Sequence, residues 1–167
     1  MKSFVTKVIP FILASGFGVL IAVFINTLYH PVIVSGNSMY PTYESDEILE
    51  GIPIKDESQL YNGCVVTFKK GYKELIKRIV GMPGDTLLVK EGTLYIKEKG
   101  SNEFVKSLYN YEQIEDPGVL KDEFVISDNC YFCMGDNRNF SRDCRVIGEV
   151  SYSQLDKVVG KLLIKLK

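Results

Sequence analysis

From Val8 to Tyr29 no side chain is charged, and beyond that run the pattern changes abruptly. As a helix the uncharged run would reach about 33 Å at 1.5 Å per residue, enough for a hydrocarbon core. It therefore reads as a transmembrane anchor, made less oily than average by Gly16, Gly18 and Asn26. Past Pro31 apolar and polar residues alternate in short runs separated by turn formers, with little at helical spacing. Strands are expected over 32–34, 48–54, 64–68, 74–80, 86–90, 93–96, 124–126, 131–134 and 158–165. The last of these also fits an amphipathic helix, but its glycine and β-branched content favours a strand. Glu91-Gly92 suits a tight hairpin, and Pro83-Gly84-Asp85 a turn leading into it.

The pattern predicts a mostly β chain in three parts: a short cytoplasmic N-terminus (1–7), an anchor (8–29) and an extracytoplasmic β domain (30–167). Residues 100–118 have no clear period and are expected to form a variable, surface-facing insertion. Lys2 and Lys7 precede the apolar run and no lysine or arginine follows until Lys55, so the N-terminus is placed in the cytoplasm by the positive-inside bias. A cleaved signal peptide is the competing reading. Against it stand the length of the run and the lack of a small-x-small site near Asn26-Thr27-Leu28-Tyr29-His30.

Composition adds exclusions. At 46% hydrophobic and 25% charged residues the chain is ordinary for a folded protein, and its net charge of −1 lacks the basic excess of nucleic-acid binders. Four cysteines are too few and scattered for a disulfide scaffold. Cys130 and Cys133 lie in a strand-like run that would hold their sulfurs about 10 Å apart, too far for one metal or one disulfide. No metal or cofactor is expected.

The one histidine, His30, falls at the expected membrane face, which removes Ser-His-Asp schemes and multi-histidine metal sites. Ser38 stands in Ser35-Gly36-Asn37-Ser38-Met39-Tyr40-Pro41-Thr42, rich in turn formers. If it is a nucleophile, a lysine must serve as its base. In the run 74–80, Lys77 shares a strand face with Leu75 and Ile79, while Arg78 points the other way. A lysine on an apolar face either snorkels to water or is held neutral by burial. Neutrality near pH 7.5 needs a shift of about three pKa units, or about 4 kcal/mol. The stretch from Met134 to Arg145 then concentrates carboxylates, guanidiniums and a hydroxyl, as a polar loop or an ion-paired platform would.

Three blocks in this order resemble the type I signal peptidases: 36–42 around Ser38, Lys77-Arg78-Ile79-Val80-Gly81-Met82-Pro83-Gly84-Asp85, and 131–145 with its Met134-Gly135-Asp136-Asn137-Arg138 core. Residues 63–68 form a weaker fourth. The resemblance implies a Ser/Lys dyad protease on antiparallel, coiled or barrel-like sheets, cutting signal peptides from exported preproteins at the outer face of the cell membrane. It implies Ser38 as nucleophile and Lys77 as general base. Ser141 would orient the lysine, Asp143 and Arg145 would form one supporting pair, and Asp136 and Arg78 a second. The Ser38 N–H would donate to the oxyanion, and Met39 would pack near the pocket for small substrate side chains. Gly36 stands where some members carry a serine that adds an oxyanion donor; Cys144 and Cys64 replace a serine and an aspartate. The short domain matches the compact Gram-positive type. Two rival readings compete with this one: a non-cleaving accessory protein that binds exported subunits such as pilins, and a self-cleaving repressor-type Ser/Lys protease. The latter would be soluble and carry an Ala-Gly site, which this chain lacks.

Overall fold

The computed structural model describes residues 10, 11, 13–21 and 30–161. The chain divides into two compact units, Met1–Pro31 and Val32–Lys167. In the first, residues 13–21 are helical and expose Leu13, Phe17, Val19 and Leu20. No helix among the described residues is long and apolar enough to cross a membrane. The remainder of the expected anchor, residues 8, 9, 12 and 22–29, and the expected cytoplasmic N-terminus, 1–7, lie outside them.

The second unit is built from strands. They are β1 (Pro31–Ile33), β2 (Ile48–Pro53), β3 (Val65–Lys70), β4 (Lys73–Gly81), β5 (Thr86–Lys90), β6 (Thr93–Lys97), β7 (Val105–Lys106), β8 (Phe124–Val125), β9 (Cys130–Met134), β10 (Val150–Ser151) and β11 (Leu155–Lys161). Seven form one sheet in the order β1-β2-β11-β3-β4-β9-β10, and four a second in the order β7-β6-β5-β8. Pairing among β2 to β11 is antiparallel throughout. Of the expected coiled or barrel-like sheets, no closed barrel is found among the described residues, where both sheets stay open. The larger ends on β1 and β10, of three and two residues, which are too short to zip edge to edge.

The expected turns form. Lys90 pairs with Thr93 across Glu91 (φ 51°) and Gly92 (φ 72°), the doubly positive backbone of a tight hairpin. The C-terminal segment is a strand, as its composition suggested, but it starts earlier, at Leu155; residues 162–165 lie outside the described ones. The main core gathers Val66, Phe68, Ile79, Leu87, Leu94 and Phe132, and a smaller one holds Val34, Met39, Leu49, Val65 and Ile76.

Residues 100–118 are mostly exposed, but isolated groups tie them to the rest of the domain. Ile114 is 3% exposed in the main core, and its N–H donates to Gly92 O at 2.8 Å. The Ser107 N–H donates to Leu94 O at 2.9 Å, and Asn110 Oδ1 accepts the Leu94 N–H. The segment is aperiodic because it packs through isolated side chains and backbone groups, leaving no repeating apolar face to read.

Candidate active site

The loop that carries Ser38 is tied down from below. Met39 and Tyr43 are buried in the smaller core, and the Tyr43 N–H donates to Met39 O at 3.0 Å. Ser38 is left half-buried between them and the exposed Asn37 and Gly36. Gly36 takes φ +82°, a backbone state that L side chains rarely adopt, and its N–H donates to Ser45 Oγ at 3.3 Å.

Lys77 comes from the middle of β4. It lies opposite Val66 of β3 in a register unbroken from Lys70↔Lys73 to Val65↔Arg78, so the alternation predicted from sequence holds. The residue is 3% exposed, and its Nζ donates to Ser38 Oγ at 2.6 Å and to Ile76 O at 2.9 Å. Burial pushes its ammonium below the usual lysine range, with the Asp143 carboxylate working in the opposite direction. A hydroxyl and a desolvated amine in direct contact form an arrangement able to pass a proton.

Two buried ion pairs flank this contact. Arg78 Nη2 meets Asp136 Oδ2 at 2.6 Å, and its Nε meets Oδ1 at 2.9 Å, a two-point match of guanidinium and carboxylate. Asp136 Oδ2 also accepts from Thr42 Oγ1 at 2.6 Å, which links the pair to the serine loop. The second pair joins Asp143 to Arg145 Nε at 2.9 Å and Nη2 at 3.0 Å. Asp143 further accepts the Gly135 N–H at 3.0 Å and caps the short helix Cys144–Ile147. Arg145 donates onward to Arg138 O and Asp116 O.

The block after β9 also grips the serine loop directly. Asn137 donates its N–H to Ser38 O at 3.1 Å and its side-chain amide to Asn37 O at 3.0 Å. Gly135 makes the approach possible: a Cβ there would lie 2.5 Å from Ser38 O and 2.2 Å from Ser141 Oγ.

This geometry coincides with similarity along nearly the whole chain. A family model described as "Signal peptidase, peptidase S26" matches residues 5–166. The chain belongs to this family. It is 36% identical over 132 residues to signal peptidase I of Bacillus amyloliquefaciens, covering 76% of this chain and 71% of that one. It is 35% identical to signal peptidase I S of Bacillus subtilis strain 168, covering 72% and 68%. A crystal structure of a signal peptidase I from Enterococcus faecalis V583 aligns with TM-score 0.45 at 22% identity, over 59% of this chain and 95% of that one. None of these names speaks of pilus assembly.

Within the family's blocks, Ser38, Lys77, Arg78, Asp136, Asp143 and Arg145 all converge on one region. Ser141 lies beside them, but its Oγ is buried without a hydrogen-bond partner among the described residues. The bonds of Lys77 go instead to Ser38 and Ile76 O. Met39 is fully buried in the smaller core. All four cysteines are free, and Cys133 and Cys144 pack together in the core, with the Cys133 N–H directed at Cys144 Sγ at 3.2 Å.

Tyr109 and Tyr111 carry no signal in the sequence, while Gly63 lies in the weaker 63–68 block. Tyr109 and Tyr111 place their rings 4.9 and 5.7 Å from the Arg78 guanidinium carbon. Gly63 supplies a carbonyl to Arg78 Nη1 at 2.6 Å, and the Tyr109 ring fills the space that a Cβ at Gly63 would occupy. Thr42 was inside a recognised block, but its hydroxyl contact to Asp136 spans 94 positions.

Proposed function

We propose that this chain is a serine endopeptidase that removes signal peptides from exported preproteins, working by a Ser38/Lys77 dyad and held to the cell membrane by its N-terminal apolar segment. The catalytic domain lies on the outer face in this reading, the side assigned by the lysines that precede the anchor. The observation that carries it is the 2.6 Å contact between Lys77 Nζ and Ser38 Oγ, with the lysine 3% exposed. Membership of the signal peptidase family supports the choice of substrate.

In the mechanism, an extended preprotein segment with small side chains before the scissile bond lies along strand edges near Ser38. Neutral Lys77 accepts the hydroxyl proton as Ser38 Oγ attacks the carbonyl carbon. The Ser38 N–H has no partner among the described residues, and it donates to the developing oxyanion. The peptide C–N bond breaks, the Lys77 ammonium returns its proton to the departing amine, and the mature chain leaves. Water, deprotonated by the same lysine, then attacks the acyl-Ser38 ester; the acyl C–O bond breaks, the Lys77 ammonium returns its proton to Ser38 Oγ, and the signal peptide leaves as a carboxylic acid that ionises in water. The two buried ion pairs hold the loop and the lysine environment without touching the reacting atoms.

Ser38→Ala and Lys77→Ala are each expected to abolish cleavage of a preprotein by the full chain in detergent, with circular dichroism unchanged. Residual turnover at the parent rate in either one would sink the dyad.

A further inference from the structure

Where β3 turns back into β4, Lys70, Lys73 and Arg142 gather without an ion-pair partner among the described residues. Lys70 and Lys73 face each other directly across the ladder, a like-charge pairing that weakens a hairpin. Lys70 Nζ donates only to a backbone oxygen, Glu149 O, at 3.1 Å. Nearby carboxylates are engaged elsewhere: Glu149 accepts the Ser127 N–H, and Glu74 lies 3.9 Å from Lys157. The three cations line a cleft of 260 Å³ together with Leu75 and Ile147.

The position of the cleft relative to the candidate dyad gives it meaning. Lys73, Leu75 and Lys77 occupy one face of β4 by alternation, and the β3/β4 register has no bulge there. At about 3.3 Å per residue, Leu75 is about 7 Å and Lys73 about 13 Å along the strand from Lys77. Arg142 reaches the cleft from the segment just after Ser141, and Ile147 from the helix that Asp143 caps. An extended chain leaving Ser38 in this direction covers that distance in about two to four residues.

We propose that this cleft is a subsite for an acidic side chain of the substrate, about two to four residues from the scissile bond. Leu75 and Ile147 receive the aliphatic stem, and Lys70, Lys73 and Arg142 meet the carboxylate. An anionic lipid headgroup carries similar charge, but continuity with the face of Lys77 favours the peptide. The assignment rests on the peptidase reading above.

The test uses the full chain in neutral detergent, made catalytically silent by Ser38→Ala. Labelled signal-peptide substrates, with Glu or Lys placed in turn at positions two to four on either side of the cleavage site, are titrated by fluorescence anisotropy. At one of these positions the Glu peptide is expected to bind on the order of fivefold tighter than its Lys counterpart, less so in high salt. Lys73→Glu and Arg142→Glu, each added separately, should reverse that order. Equal binding to the parent, or a preference unmoved by both reversals, overturns the subsite. So does a peptide preference that survives while retention on phosphatidylglycerol vesicles is lost, since the cleft would then belong to lipid. Cleavage by the Ser38 form is scored in parallel. Absent turnover with charge-dependent binding defeats the proposed catalysis alone, and turnover without charge preference defeats the subsite alone.

Discussion

Lys77 is a basic side chain kept almost entirely out of water, with a hydroxyl and a backbone carbonyl as its only hydrogen-bond partners among the described residues. Because burial lowers its folded-state pKa, the unfolded chain, with a lysine near pKa 10.4, binds the proton more tightly. Stability conferred at this position therefore rises with pH between the lowered folded value and about 10.4. Lys77→Met should raise stability at neutral pH by about 1–2 kcal/mol while abolishing cleavage, and denaturant titrations should find the gap narrowing as pH rises. For the same reason the acid limb of kcat/KM should fall below the ordinary lysine range, with activity gained as pH increases through it; a limb at carboxylate pH would assign the base elsewhere. Gly135→Ala should lower kcat by about 100-fold with the fold intact by thermal melting, since the new methyl must displace Ser38 O or Ser141. The lysine face was legible because strand alternation is a local property of five residues. The orphan Ser141 hydroxyl was not, because its surroundings depend on how closely Gly135 and Ser38 approach.

At the scale of elements, β4 contributes to both halves of the site: Lys77 to the hydroxyl contact and, one residue on, Arg78 to the buried pair with Asp136. Adjacent residues of a strand serve opposite faces, so a single strand supplies both without a loop between them. Most strands that line the site were readable from alternation, and β9 from its Tyr131–Met134 run. The segment 100–118 was not, because Tyr109, Tyr111 and Ile114 act singly and share no period. Its role makes a specific expectation: Tyr109→Leu should cost about 1–2 kcal/mol by removing the ring over the Arg78 guanidinium. Chemical denaturation measures this, and an unchanged midpoint would assign that ring no part in holding the Arg78–Asp136 pair.

Across the whole molecule, the contacts at the site are long-range ones. Thr42 reaches Asp136, Asn137 reaches back 100 positions to Asn37, and Arg78 joins Gly63 to Asp136. Sequence pattern could nominate these blocks, and their order carried the family resemblance, but no local rule could state that a glycine at 135 makes room for a serine loop nearly a hundred residues earlier. The grip of Asn137 on the loop of Ser38 also has a consequence in time. During synthesis Ser38 emerges early, yet the groups that fix the carbonyls of its loop come out only after about four-fifths of the chain. On the proposed reading of Ser38 as nucleophile, a growing chain is therefore inert until Asn137 has been made, and catalytic competence arrives as a late event rather than being built up gradually.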